Sequence, residues 1–270
     1  MSSQAKAPVE NFDVNSVTIG GVVTRVWSRH DDVYASLVVH GQYGVLSQIL
    51  PFGNKDGDSH HLVYATIMLP GGKTAEGMPV SLAKKGKVRV SGYIREVPYA
   101  ETLGRIKQRA GVSQMDEGDD DVTLGRISTC TVVKTIERNS EPADANLVEI
   151  GGVVTKVWTK RDNVCARLAV YDQFSEILSP AGKRKLPRRK AHYVTIMLPG
   201  GKTSDGLEAS IAKNDRLRAT GFMCDVPYIE TLRQVKVRAG LADRVADDDG
   251  EIRLRRIASY AVVGTLVQFG

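Results

Sequence analysis

Four aromatic residues recur at matched places in this chain, each close to cationic side chains. Tyr64 opens the phrase Tyr64-Ala-Thr-Ile-Met-Leu-Pro-Gly-Gly-Lys-Thr74, and Tyr193 opens Tyr193-Val-Thr-Ile-Met-Leu-Pro-Gly-Gly-Lys-Thr203. Trp27 ends Val17-Thr-Ile-Gly-Gly-Val-Val-Thr-Arg-Val-Trp27 beside Arg25 and Arg29, and Trp158 ends the matching phrase from Val148, beside Lys156, Lys160 and Arg161. Flat rings stack on flat conjugated groups and neighbouring cations meet anions, so this combination suits a ligand that alternates planar and anionic units.

Other motifs point less far. The Gly-Gly-Lys-Thr sequences invite a phosphate-loop reading, but the glycine such a loop needs five residues before Gly72 or Gly201 is Ile67 or Ile196. Nucleotide-triphosphate binding is therefore not expected, and Lys73 and Lys202 are at most phosphate contacts from turns. The histidines share no pattern between the matched halves, and no paired carboxylates or nucleophile constellation emerge, so an enzyme is not expected. Cys130, Cys165 and Cys224 lack metal-ligand spacing and read as reduced packing residues; neither metal nor cofactor is expected.

These motifs occur twice in the same order, together with Val97-Pro-Tyr-Ala-Glu-Thr-Leu103 and Val226-Pro-Tyr-Ile-Glu-Thr-Leu232. The chain thus reads as a duplication of one small module, with a flexible N-terminus over 1–11, modules over 12–138 and 147–270, and a joint at 139–146. At 270 residues, 42% apolar and 25% charged, it can bury two ordinary cores. No apolar run has membrane-spanning length, and the first residues lack a signal peptide's apolar stretch, which points to the cytoplasm or nucleoid. The net charge of +6 is concentrated in the second half, where Glu141–Gly270 holds 21 Lys+Arg against 16 Asp+Glu. Much of that excess lies in the basic run Lys183–Lys190.

Each module parses into about five strands. In the second strand, Val33, Ala35, Leu37 and Val39 alternate with Tyr34, Ser36, Val38 and His40; in the other copy Val164, Ala166, Leu168 and Val170 alternate with Cys165, Arg167, Ala169 and Tyr171. The first set of each pair is expected inside. In the third strand Ala65, Ile67 and Leu69 point in, leaving Tyr64, Thr66 and Met68 outside with Tyr193, Thr195 and Met197. Tyr93 and Phe222 also alternate outward, while Trp27 and Trp158 share a strand face with apolar residues and suit core capping as well as stacking. Gly92 and Gly221 mark inner positions where a curved strand leaves no space for a side chain.

Ser81-Leu-Ala-Lys-Lys85 followed by Gly86 reads as a short helix with a glycine stop. The order strand, strand, strand, helix, strand, strand is that of an OB barrel, so the fold class is all-β with short helices: two tandem OB-fold, five-stranded barrels. A long loop from Pro98 to Asp121 would separate the last two strands. Within it, Glu101–Gly111 is spaced as a helix, whereas its counterpart Arg233–Arg238 alternates as a strand, leaving helix and β-ribbon both open. Either form presents Arg105, Lys107 and Arg109, or Arg233, Lys236 and Arg238, at one barrel edge. Asp116–Asp121 and Asp247–Glu251 read as solvated tips, and Tyr99 and Tyr228, each behind a proline, suit anchoring the loop first and stacking on a planar ligand second.

The segment Leu82-Ala-Lys-Lys-Gly-Lys-Val-Arg-Val-Ser-Gly-Tyr-Ile-Arg95 resembles the helix-to-strand segment of bacterial single-stranded DNA-binding proteins. Ile19-Gly-Gly-Val-Val and Tyr64-Ala-Thr-Ile-Met-Leu are similar to that family's first and third strands. The resemblance implies tandem OB folds that bind single-stranded DNA with little sequence preference, in replication, recombination or repair, and that pair as a homodimer to supply four modules. It also implies stacking by Tyr64 and Tyr193. Family members usually end in an acidic tail that recruits other proteins; this chain runs through Ala261–Gly270 without one, so that docking role is not expected to carry over.

The residues expected to contact nucleic acid are Arg25, Trp27, Arg29, Tyr34, Tyr64, Lys73, Arg105, Lys107 and Arg109 in the first module. In the second they are Lys156, Trp158, Arg161, Arg167, Tyr171, Tyr193, Lys202, Arg233, Lys236 and Arg238. Stacking and basic grooves serve RNA equally. The alternative readings are thus an RNA-binding OB protein, or a structural module assembling through its aromatic sheet faces.

Overall fold

The computed structural model describes residues 13–41, 61–112, 116–138, 145–171, 191–203 and 206–269. The N-terminal stretch 1–11, most of the joint 139–146 and the basic run Lys183–Lys190 lie outside the described residues. The first five strands are β1 (Val14–Arg29), β2 (Asp32–Gly41), β3 (His61–Leu69), β4 (Lys87–Thr102) and β5 (Thr123–Arg138), with helix α1 (Leu103–Arg109) between the last two. The second copy supplies β6 (Asn146–Lys160), β7 (Asn163–Tyr171), β8 (Ala191–Leu198), β9 (Arg216–Thr231), helix α2 (Leu232–Arg238) and β10 (Arg253–Phe269).

In the first copy β1 pairs with β2 and β4, β2 with β3, β3 in parallel with β5, and β5 with β4, which closes a five-stranded OB barrel. Strands β6 to β10 repeat this circuit. Antiparallel pairing of β1 with β6, from Val14 opposite Gly151 to Ile19 opposite Asn146, joins the two barrels into one ten-stranded sheet. Asn15 and Asn146, in the paired stretches of this seam, tie it back to their own barrels. Each buried amide donates to the carbonyl of Ile94 in β4 or Met223 in β9 and accepts that residue's N–H, all at 2.8 Å.

The barrel interiors are as alternation predicts: Ala35, Leu37, Val39, Ala65, Ile67 and Leu69 are fully buried, as are Ala166, Leu168 and Val170. At Gly92 a Cβ would lie 1.9 Å from the Val132 carbonyl oxygen, and at Gly221 1.8 Å from that of Val262. These glycines sit against bulges where the register skips Lys134 and Gly264, and a side chain there would force the last strand away.

Several expectations are corrected. Ser81–Lys85 forms no helix between β3 and β4. Ser81–Lys85 is too short to repay helix nucleation, and its backbone bonds to β1 instead: the Lys85 N–H donates to the Val23 carbonyl at 2.7 Å, and the Val23 N–H to that of Gly86 at 2.9 Å. Lys85 takes φ +69° to make that turn. The supposed loop after Pro98 begins as strand, because β4 and β5 stay paired out to Thr102 opposite Thr123. Each module thus extends a two-stranded arm beyond its barrel, and both arms end in helices.

A bulge also redirects Trp27. Thr24 has no partner in the β1–β2 register, so alternation flips; Val26 joins the core while Trp27 turns to the outer face. Thr155 does the same for Trp158. The outer face itself is largely covered: Thr66 and Met68 are buried, as are Thr195 and Met197. The other module covers them. Thr66 donates to Asp225 at 2.7 Å, and Thr195 donates to Glu96 at 3.0 Å, so the barrels pack face to face with approximate two-fold symmetry.

Candidate nucleic-acid interface

Face-to-face packing brings the two arms together. Leu103, Ile106 and Leu124 of one tip and Leu232, Val235 and Leu254 of the other form one apolar cluster. Beneath each helix a buried lysine acts as a tie: Lys107 contacts Asp116 at 2.6 Å and Asp119 at 2.7 Å, and Lys236 contacts Asp249 at 2.8 Å. These contacts correct two expectations. Lys107 and Lys236 are sequestered rather than presented to a ligand, and Asp119 and Asp249 are buried partners rather than solvated tips. Burial would lower the Lys107 pKa, but its two aspartates outweigh that and raise it.

Where the arms cross, two carboxylates serve four arginines. Glu101 contacts Arg109 at 2.6 Å, Arg256 at 3.3 Å and Arg126 at 3.4 Å. Glu230 contacts Arg238 at 2.5 Å, Arg126 at 3.4 Å and Arg256 at 3.7 Å. Arg126 and Arg256 are nearly buried, while Arg109 and Arg238 are 52% and 57% exposed. Burial alone would raise the Glu101 pKa, yet the hydrogen bond and charge of Arg109, with Arg256 and Arg126 behind it, bring it below the usual carboxylate value. Burial, and then Arg126 and Arg109, lower that of Arg256.

This cluster floors a groove of about 590 Å³ walled by Trp27, Tyr99, Tyr228, Ile127 and Ile257, with Arg25, Arg29 and Arg255 at its margin. Cations already stack on its rings, with Arg29 3.8 Å from the Tyr99 centroid, Arg25 5.4 Å from Trp27, and Lys160 4.4 Å from Tyr228. A second hollow of about 350 Å³ shares Ile127, Tyr228 and Ile257 and continues over Lys156, Trp158, Arg167 and Tyr260. Arg167 ion-pairs with Glu96 and stands 4.2 Å from the ring of Tyr193, which is 39% exposed. A continuous aromatic and cationic surface therefore runs from Tyr193 across both arms to Arg25.

The expected residues distribute unevenly over it. Arg25, Trp27, Arg29, Arg109, Lys156, Trp158, Arg167 and Arg238 line the two hollows. Tyr34 does not reach them: it is 3% exposed, stacked beneath Trp27 with centroids 5.8 Å apart and packed with Met68, Tyr93, Cys130 and Val132 of its own module. Tyr93 and Phe222, outward by alternation, are buried where the modules face each other, Tyr93 6.0 Å from His192 and Phe222 in a cluster with Val63. Tyr64 and Tyr171 are 43% and 40% exposed but line neither hollow. Arg105 and Arg233 are exposed on α1 and α2, and Arg161 is exposed in the β6–β7 turn at φ +54°. Lys73 and Lys202 follow the 3₁₀ turns after β3 and β8, with Lys202 3.7 Å from Glu208. Arg126, Arg255, Arg256 and the exposed isoleucines were not anticipated. A signal was present, since Arg126-Ile127 and Arg256-Ile257 occupy the same place in the two copies of the fifth strand.

No protein-family model and no curated protein matches this chain. Among solved structures it is similar to the single-stranded DNA-binding protein from Thermus aquaticus, at 11% identity and a TM-score of 0.46, covering 95% of this chain and 93% of that one. A deletion mutant of the same protein gives 12% identity and a TM-score of 0.47, with 95% of each chain covered. Among the described residues no group of side chains could hold a metal ion, and no helix is long and apolar enough to cross a membrane.

Proposed function

We propose that this protein binds single-stranded DNA with little sequence preference, along the surface that crosses both arms. The observation carrying this reading is the groove itself, where four arginines outnumber two carboxylates between rings of Trp27, Tyr99 and Tyr228. Splayed bases stack on such rings at about 1–3 kcal/mol per base, and the arginine surplus meets the phosphates. Two exposed isoleucines, Ile127 at 57% and Ile257 at 68%, offer further apolar contact to a base. Paired bases in a duplex keep their faces stacked and unavailable, so this surface favours single strands. Protection of exposed strands in replication, recombination or repair is the corresponding role.

Titration of the intact protein with single-stranded DNA, duplex DNA and RNA at several salt concentrations, followed by tryptophan fluorescence, tests the reading. Salt-sensitive binding selective for single-stranded DNA, with quenching, supports it. Preference for RNA would transfer the reading to that polymer, and no binding at low salt would overturn it.

A further inference from the structure

The groove floor carries more positive charge than its own carboxylates balance. Glu101 and Glu230 are each shared among three arginines, and each contacts Arg126 and Arg256, one from each module. Two positive charges remain over in a site walled by rings. Arg126 Nε, Arg256 Nε and Arg256 Nη2 are buried and make no hydrogen bond, the nearest carboxylate oxygens to the two Nε atoms lying 3.4 and 3.7 Å away. Arg109 and Arg238 stand in front, half exposed, each anchored through Nη1 by a carboxylate at 2.6 and 2.5 Å. Such anchoring pre-orders a guanidinium fork before any ligand arrives.

We propose that Arg109 and Arg238 form one phosphate seat, built jointly by the two modules at their crossing, with Glu101 and Glu230 as positioning residues and Arg126 and Arg256 supplying the field behind it. This deepens the single-strand reading and rests on it for the identity of the ligand: one phosphodiester is held by a forked cation from each arm. The seat exists only where both arms meet. A bound phosphodiester also offsets one of the two surplus charges that the crossing otherwise carries, so occupation stabilises the packed arms.

The test uses the full chain and two probes. With a thymidine oligomer of about 30 nucleotides, near the combined site size of two OB modules, Arg109→Gln and Arg238→Gln each weaken binding by about 10-fold. The double variant loses little more than either single one, and the salt slope falls by about 0.7, the value for one phosphate on a single strand. With inorganic pyrophosphate and no DNA, the wild-type Tm rises above that in chloride of equal ionic strength, and either single substitution removes the rise. Losses that multiply in the double variant would overturn the shared seat, as would a pyrophosphate effect that survives both substitutions. If wild-type protein binds no oligomer while pyrophosphate still raises its Tm through these arginines, the anion seat stands and the DNA reading falls. Circular dichroism checks that the half-exposed substitutions leave the fold intact.

Discussion

Asp225 is buried between the modules, accepting hydrogen bonds from Thr66 at 2.7 Å and Ser259 at 2.5 Å. Burial raises its pKa to about 6, and the two hydroxyls only partly oppose that rise. The gap from the ordinary value of 3.8 corresponds to about 3 kcal/mol. Because the folded value is raised, the fold binds this proton more tightly than the unfolded chain does. The resulting stabilisation is complete below about pH 3.8 and is lost as the pH rises through about 6. Asp225→Asn keeps the shape and cannot ionise. Relative to the wild type, the variant therefore gains about 3 kcal/mol between about pH 4 and pH 7, the window those two values define. Glu101 and Asp116, whose values are lowered, give stability that is lost on acidification, but both proteins share them and they cancel in the difference. Urea unfolding of the two proteins across that window reads the difference directly. Curves that stay parallel with pH would refute the reasoning.

Glycine, lysine and tyrosine positions give further expectations. Gly92→Ala and Gly221→Ala each destabilise by about 3 kcal/mol or more, since the new Cβ meets a strand carbonyl with no freedom to move. Gly125→Ala, with nothing within 4 Å, is close to neutral; thermal unfolding compares the three. Lys107→Met strands Asp119 without its cation and costs about 3–5 kcal/mol at the arm tip, visible as faster hydrogen exchange in α1 while the barrel amides stay protected. Trp27→Ala with Tyr99→Ala weakens oligomer binding by about 10-fold or more, whereas Tyr64→Ala, at a residue that lines neither hollow, has a smaller effect in the same titration.

The barrels were legible because their cause is local and repeated. Alternation in Val33–Val39 and Ala65–Leu69 has one period per strand, and the duplication doubled the signal at Gly92 and Gly221. Bulges broke the reading where they insert a residue: Thr24 and Thr155 turned the tryptophans outward, a shift that composition does not announce. The helix in the second arm was masked because Arg233-Gln-Val-Lys-Val-Arg238 also alternates. Its ends decide the matter: Thr231 accepts from the Gln234 N–H at 3.3 Å, and the Gln234 side chain accepts from the Thr231 N–H at 3.0 Å, closing a capping box.

The site was less legible than the fold because it is made between modules. Tyr93 and Phe222 read as exposed in a single barrel, and the face-to-face packing sets Tyr93 6.0 Å from His192 and Phe222 in a cluster with Val63. The same packing sets Arg126 against Glu230 and Arg256 against Glu101, contacts between residues more than a hundred positions apart that no local pattern encodes. It also separates lysines that look alike. Lys107 and Lys236 face their own acidic tips, whereas Lys156 lines the open hollow.

Photocrosslinking tests the central claim most directly, because it reads both the ligand and its path. A single-stranded oligomer carrying iodinated uracil is bound to the full chain, irradiated, and the adducts mapped by mass spectrometry. The account predicts adducts at Trp27, Tyr99, Trp158 and Tyr228, lost in competition with unlabelled single strands but not with duplex. Adducts confined to residues outside the two hollows, or none at low salt, would contradict it.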